Sequence, residues 1–169
     1  MGRTIFLAVL LAASCGGSSS SNGSSGAGAG TGPAAMYAGT YNASYAGTYV
    51  VTSPAGLPGG SNTDMGTVTI TALSADTVKA VWQIPPNPPS GTADFSLNGA
   101  QGTAEATGGM CFTGKLTNGD TQTNCCTACS ISFSGNTFVQ PNAGTFTGTT
   151  ALGVAYAGTY SGQWTGTKQ

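Results

Sequence analysis

Four cysteines, Cys111, Cys125, Cys126 and Cys129, form the most reactive grouping in this chain of 169 residues. Sulfur at this spacing has several uses. Cys126-x-x-Cys129 supplies half of a four-cysteine zinc site, but the second C-x-x-C that such a site wants is missing. A redox C-x-x-C belongs in a βαβ setting that the surrounding pattern does not offer. A cysteine nucleophile needs a base, and the chain has no histidine. Two disulfides are the default for an exported protein. Four cysteines allow three pairings, and a bond between neighbours Cys125 and Cys126 is geometrically strained. Asn118-Gly119 is a strong signal for a two-residue hairpin. That register sets Thr117 against Asp120 and Cys111 against Cys126, leaving Cys125–Cys129 to close a tight turn. It also puts Cys111 and Cys126 at a hydrogen-bonded pair, where cross-strand side chains lie farther apart.

The acids are Asp64, Asp76, Asp94, Glu105 and Asp120. A paired-carboxylate hydrolase needs two of them facing each other across a cleft. The aspartates fall in or near expected turns or on polar faces, where solvated side chains are the rule, and Glu105 is on a polar face too. No loop has calcium-ligand spacing, and a serine–histidine triad is impossible. The expectation is a non-enzyme with no metal site and no cofactor. Arg3 is the sole arginine, and only Lys79, Lys115 and Lys168 follow it. Nucleic acid binding neutralises phosphates with Lys and Arg, so it is excluded, as is a polybasic membrane patch.

The elements that position these residues are strands. The phrase Tyr-Ala-Gly-Thr-Tyr occurs at Tyr37–Tyr41, Tyr45–Tyr49 and Tyr156–Tyr160. Side chains on a strand alternate faces. Tyr37, Tyr41, Tyr45 and Tyr49 therefore share one aromatic face with Gly39 and Gly47, and Tyr156, Tyr160 and Trp164 share another with Gly158, Gly162 and Gly166. The stretch from 37 to 51 is long for one strand, so it either bends near Ala43 or turns at 42–44; the unbroken face pattern favours the bend. Ser53–Asn62 reads as a loop. Strands are expected around Val68–Ala72, Val78–Ile84, Phe95–Leu97, Gly102–Thr107, Met110–Leu116, Ile131–Phe133, Phe138 and Phe146. The prolines at 85, 86, 88 and 89 stop the second of these.

About eight to ten short strands in an antiparallel meander suggest a small β-barrel, with a β-sandwich as the alternative. Pairing the first strand with the last would remove exposed edges. Trp82, Trp164, Tyr41, Tyr45, Tyr49, Tyr156 and Tyr160 are candidate core residues that could also line a ligand cavity.

The first residues have a different character. A short basic segment with Arg3 precedes an apolar run, Ile5–Ala13, too short to span a bilayer. Leu11-Ala12-Ala13-Ser14-Cys15 follows. This leader resembles those of bacterial lipoprotein precursors over about the first 20 residues. The resemblance implies removal of residues 1–14 and lipidation of Cys15. Ala12 stands where leucine is commonest in that family. Cleavage after Ser14 by an ordinary signal peptidase is the alternative, and it would leave Cys15 as an odd thiol. Residues 15–35 form the lipidated cysteine and a flexible Gly/Ser linker, and 36–169 a single β domain. In the same family a non-acidic residue after the cysteine, here Gly16, points to the outer membrane or cell surface.

The body is similar in texture to lipocalin-like and other Gly/Thr-rich bacterial barrels. It has Gly47-Thr48-Tyr49 where lipocalins have Gly-x-Trp, and no arginine, so no ligand residue is carried over. The resulting expectation is a lipid-anchored surface or periplasmic β domain with a structural or interaction role. A barrel for a small apolar ligand is one alternative. An enzyme inhibitor acting through a rim loop, Ser53–Asn62 or Ile84–Gly91, is another.

Overall fold

The structure, a computed structural model, describes residues 32–85, 91–97, 103–106, 110–116, 118–126 and 129–169. The leader, Cys15, the linker up to residue 31 and residues 86–90 of the proline loop lie outside the described residues.

Among the described residues, ten strands follow one short helix. The helix α1 spans Pro33–Tyr37, with proline at its first turn, where the missing N–H costs nothing. The strands are β1 Gly39–Ser53, β2 Gly60–Ala72, β3 Thr77–Gln83, β4 Gly91–Leu97, β5 Thr103–Ala106, β6 Met110–Lys115, β7 Thr121–Cys126, β8 Ser130–Ser134, β9 Thr137–Thr149 and β10 Ala155–Lys168. All pair antiparallel, in the order β10-β1-β2-β3-β4-β5-β8-β9, and β9 returns to β10. The circuit of pairings therefore closes into a barrel. β1 and β10 form its seam in near-continuous register from Tyr41↔Lys168 to Ser53↔Ala157. The first strand thus pairs with the last, as the repeated phrase suggested.

Two features depart from a meander of short strands. β1, β2, β9 and β10 are 13 to 15 residues long. No hairpin breaks β1: it runs through residues 42–44 paired to β2 and β10 on either side. The β6–β7 hairpin leaves the meander, since β5 pairs with β8 and β7 lies against the second half of β9. One end of the barrel is thus a closed ring. At the other, the sheet β2-β1-β10-β9-β7-β6 curls without β6 meeting β2 among the described residues.

The closed end is apolar. Val68, Ile70, Val78, Ala80, Trp82, Ile84, Phe95, Ile131, Phe133 and Phe138 fill it together with Tyr41. Helix α1 lies across this end. Ala34 is buried and its N–H bonds Ala75 O at 3.0 Å, while Tyr37 stacks on Phe133 at 4.3 Å. Helix α1 thus packs against the barrel from Pro33 on, within the stretch expected as linker. Two small alanines beside Tyr37 and a proline gave too short an apolar pattern to announce a helix.

The turn after β6 also differs. Leu116 N–H bonds Asp120 O, and Gly119 N–H bonds Leu116 O. A two-residue turn of the expected kind needs positive φ at both central residues. Here Gly119 has φ +89° and Asn118 does not share that region. The turn takes one more residue, so Cys111 lies opposite Cys125 instead of Cys126. The disulfides follow that register: Cys111–Cys125 and Cys126–Cys129, not Cys111–Cys126 and Cys125–Cys129. The shift also moves Cys111 to a non-hydrogen-bonded position, where side chains approach most closely; its Cα lies 4.0 Å from that of Cys125.

Candidate functional site

The open half of the barrel has an interior unlike the closed half. Inward positions of β9, β7 and β2 carry amides and a carboxylate between the rings: Gln140 and Asn142 on β9, Gln122 and Asn124 on β7, Asn62 and Asp64 on β2. Gln122, Asn124, Gln140 and Asn142 are all buried. The register sets them in rows. Gln140, Trp164, Tyr45 and Asp64 face one another across four adjacent strands. The next row is Asn142, Gly162, Gly47 and Asn62. With no side chain from the two glycines, the Tyr45 ring folds over them, and its hydroxyl occupies the space that a Cβ on either would take.

Side-chain hydrogen bonds order part of this interior. Tyr160 Oη donates to Asn142 Oδ1 at 3.3 Å, and Tyr156 Oη to Gln122 Oε1 at 3.2 Å. Gln122 Nε2 donates to Asn124 Oδ1 at 2.7 Å, and Asn62 Nδ2 to Asp64 Oδ2 at 3.2 Å. Burial disfavours charge here. It is the main cause that pushes Tyr45 up to about 12, with the nearby Asp64 adding to it. Tyr156 is likewise pushed up to about 12, by burial first and Asp120 second. Tyr160 is raised by burial and then by Tyr45, and Asp64 is raised by burial.

The seven expected cavity-lining rings are all inside, in two groups. Tyr41, Tyr45, Trp82 and Trp164 belong to the large apolar cluster, with Tyr45 and Trp164 at 5.3 Å. Tyr49, Tyr156 and Tyr160 join Phe146 in a second cluster at the open half. They pack on one another. Tyr49 and Tyr156, with Leu57 and Pro58 of the first loop, border a cleft of only about 30 Å³. That is room for about one water.

Asp120 departs from its expected place in solvent. It is buried, and its carboxylate accepts Asn118 Nδ2 and Ala151 N, each at 2.9 Å, so it ties the β6–β7 turn to the β9–β10 turn. Asp64 points inward as well and is half-buried. Asp76 is exposed in the β2–β3 turn, and Asp94 lies 4.0 Å from Lys79 on the outer face.

The five interior amides were not singled out from the sequence, and Asp64 was expected in solvent, although a signal was there. Gln140 and Asn142 share parity with Phe138 and Phe146, and Gln122 and Asn124 share it with Cys126. Polar residues in phase with core residues mark a polar interior.

Outside, the barrel is nearly uncharged. A shallow groove of about 350 Å³ crosses β2, β1, β10 and β9. Ser44, Thr165, Asn42 and Thr167 form its floor, and Met65 and Val139 border it. Ser44 and Thr165 hydroxyls lie 3.1 Å apart, and Gln169 Nε2 donates to Asn42 at 2.8 Å.

No protein-family model matches the chain, and no curated protein does. Among solved structures it is similar to a redesigned beta barrel, b11L5F_LGL, at 16% identity and TM-score 0.42, over 83% of this chain and 98% of that one. It is also similar to EF1p2_mFAP2b bound to DFHBI, at 17% identity and TM-score 0.39, over 81% of this chain and 97% of that one.

Proposed function

We propose that this chain is a non-enzymatic, lipid-anchored β-barrel of the bacterial outer membrane or cell surface that acts through its outer face. The observation that carries this reading is the groove on the outer face. The outer groove offers about 350 Å³, against about 30 Å³ in the cleft at the open end. An apolar guest of ordinary size needs several hundred Å³ of concave space. The groove is floored by hydroxyls and amides and bordered by two apolar side chains. It suits a protein or glycan surface better than a charged partner. Two disulfides fit an oxidising compartment. The lipoprotein-type leader and the linker before Gly32 supply an anchor and a tether. Cell-envelope fractionation of the full chain and of Cys15→Ser tests the anchor. The first should sediment with membranes and the second should be released; equal release of both would refute it. A photo-reactive side chain at Met65 tests the outer face. It should form a cross-link in the intact envelope that the same probe at buried Ile70 does not; equal labelling would refute a role for the groove.

A further inference from the structure

Five polar atoms in the open half of the barrel find no hydrogen-bond partner among the described residues: Tyr45 Oη, Asn62 Oδ1, Gln140 Oε1, Asn142 Nδ2 and Trp164 Nε1. Four of them belong to side chains that are at most 2% exposed. Native interiors pair nearly all such groups, so a cluster of five calls for a common cause. They are not scattered. They occupy the two neighbouring rows that run from β9 across β10 and β1 to β2, with the Gly162–Gly47 pair at the centre and the Tyr45 hydroxyl above it. Two of the amides have their other ends engaged: Asn142 Oδ1 accepts from Tyr160 and Asn62 Nδ2 donates to Asp64, so each turns its remaining atom toward the cluster.

The chemistry of the free ends decides the class of occupant. Asn142 Nδ2 and Trp164 Nε1 can only donate. Gln140 Oε1 and Asn62 Oδ1 can only accept, and the Tyr45 hydroxyl does either. A cation would face two N–H groups. An anion would face two carbonyl oxygens and Asp64. A hydroxyl group, which donates and accepts at once, matches the set. We infer that the Tyr45–Asn62–Gln140–Asn142–Trp164 cluster is a binding site for neutral hydroxyl-bearing molecules. Water and the hydroxyls of a small polyol or sugar share this chemistry.

The full chain, labelled with ¹⁵N, tests this by NMR, with the Trp164 indole signal assigned through Trp82→Phe. The first arm looks for magnetisation transfer from long-lived water to the Trp164 Nε1 proton and the Asn142 side-chain amide. The second titrates glycerol and then glucose and follows the same signals. A saturable shift of these signals, with little change at exposed backbone amides, assigns the site to an organic hydroxyl compound. Water transfer without such a shift assigns it to bound water. Absence of both would overturn the inference. Because both arms are read on the unaltered chain and Trp82→Phe serves only to assign the indole signal, failure of a variant to fold cannot mimic that result.

Discussion

Gly166 faces Phe138 directly across β10 and β9. The three atoms nearest to a Cβ added at Gly166 all belong to the Phe138 ring. That ring is buried and meets Tyr41 edge-on at 5.3 Å, so it cannot swing aside freely. Gly166→Ala should therefore overpack the core, at a cost of about 1–3 kcal/mol. Against this, alanine stiffens the unfolded chain by about 0.4–1 kcal/mol. The net expectation is a loss of roughly 1–2 kcal/mol, the difference of those two terms. Phe138→Val removes the obstructing ring atoms while keeping a β-branched residue in the strand. It should cost somewhat less than the ~3–5 kcal/mol of a full truncation to alanine. In that background the cost of Gly166→Ala should vanish or change sign, giving a coupling of about 1–2 kcal/mol. Guanidinium denaturation of the four proteins with disulfides intact measures the cycle. An equal loss from Gly166→Ala in both backgrounds would refute the claim that Gly166 leaves room for the Phe138 ring of the neighbouring strand.

Other expectations follow from the same structure. Replacing both Cys111 and Cys125 by alanine should cost about 3 kcal/mol, and replacing Cys126 and Cys129 about 2 kcal/mol, because the first bond closes the longer loop; denaturant midpoints of the two variants would rank them. Peptide mapping should recover Cys111 linked to Cys125, and a Cys111–Cys126 peptide would contradict the observed register. Alkali should unfold the barrel. A tyrosine whose folded value is raised favours folding while protonated, so the contribution is full below about 10 and fades as pH climbs from there through about 12, where Tyr45 and Tyr156 titrate. Tyr45→Phe should flatten the stability-versus-pH curve in that window; an unchanged curve would refute the assignment. Asp64 acts with the same sign at lower pH. Its raised value means that the folded state resists the charged form, so stability falls as pH rises past the ordinary carboxylate range. Asp64→Asn should then leave stability at pH 7 unchanged or increase it, and a clear loss would show that the carboxylate has a partner that the burial argument omits.

Much of the architecture was legible because strands announce themselves by parity. The rings of Tyr41, Tyr45, Tyr49, Tyr156, Tyr160 and Trp164 are inside, and the seam joins the first strand to the last. What failed to show was whatever depends on a single residue of register or on polar burial. Asn118-Gly119 is compatible with turns of two lengths, and only the backbone angle at Asn118 separates them, so the cysteine partners moved by one. The course of the β6–β7 hairpin depends on which edge of β9 is free, a tertiary fact without a local signal. Asp120 looked like a solvated turn residue because its partner, the Ala151 amide, is 31 residues away in sequence. The interior amides are the instructive case. Their phase with Phe138 and Phe146 was visible, but polarity argued for solvent, and only packing decides between the two.

The most direct measurement of the central claim is the intact mass of the mature protein purified from the cell envelope. The account predicts residues 15–169 carrying a lipid on Cys15, lighter by four hydrogens for the two disulfides. A mass corresponding to residues 1–169 without lipid, or a delipidated chain with free thiols, would contradict a tethered, exported barrel.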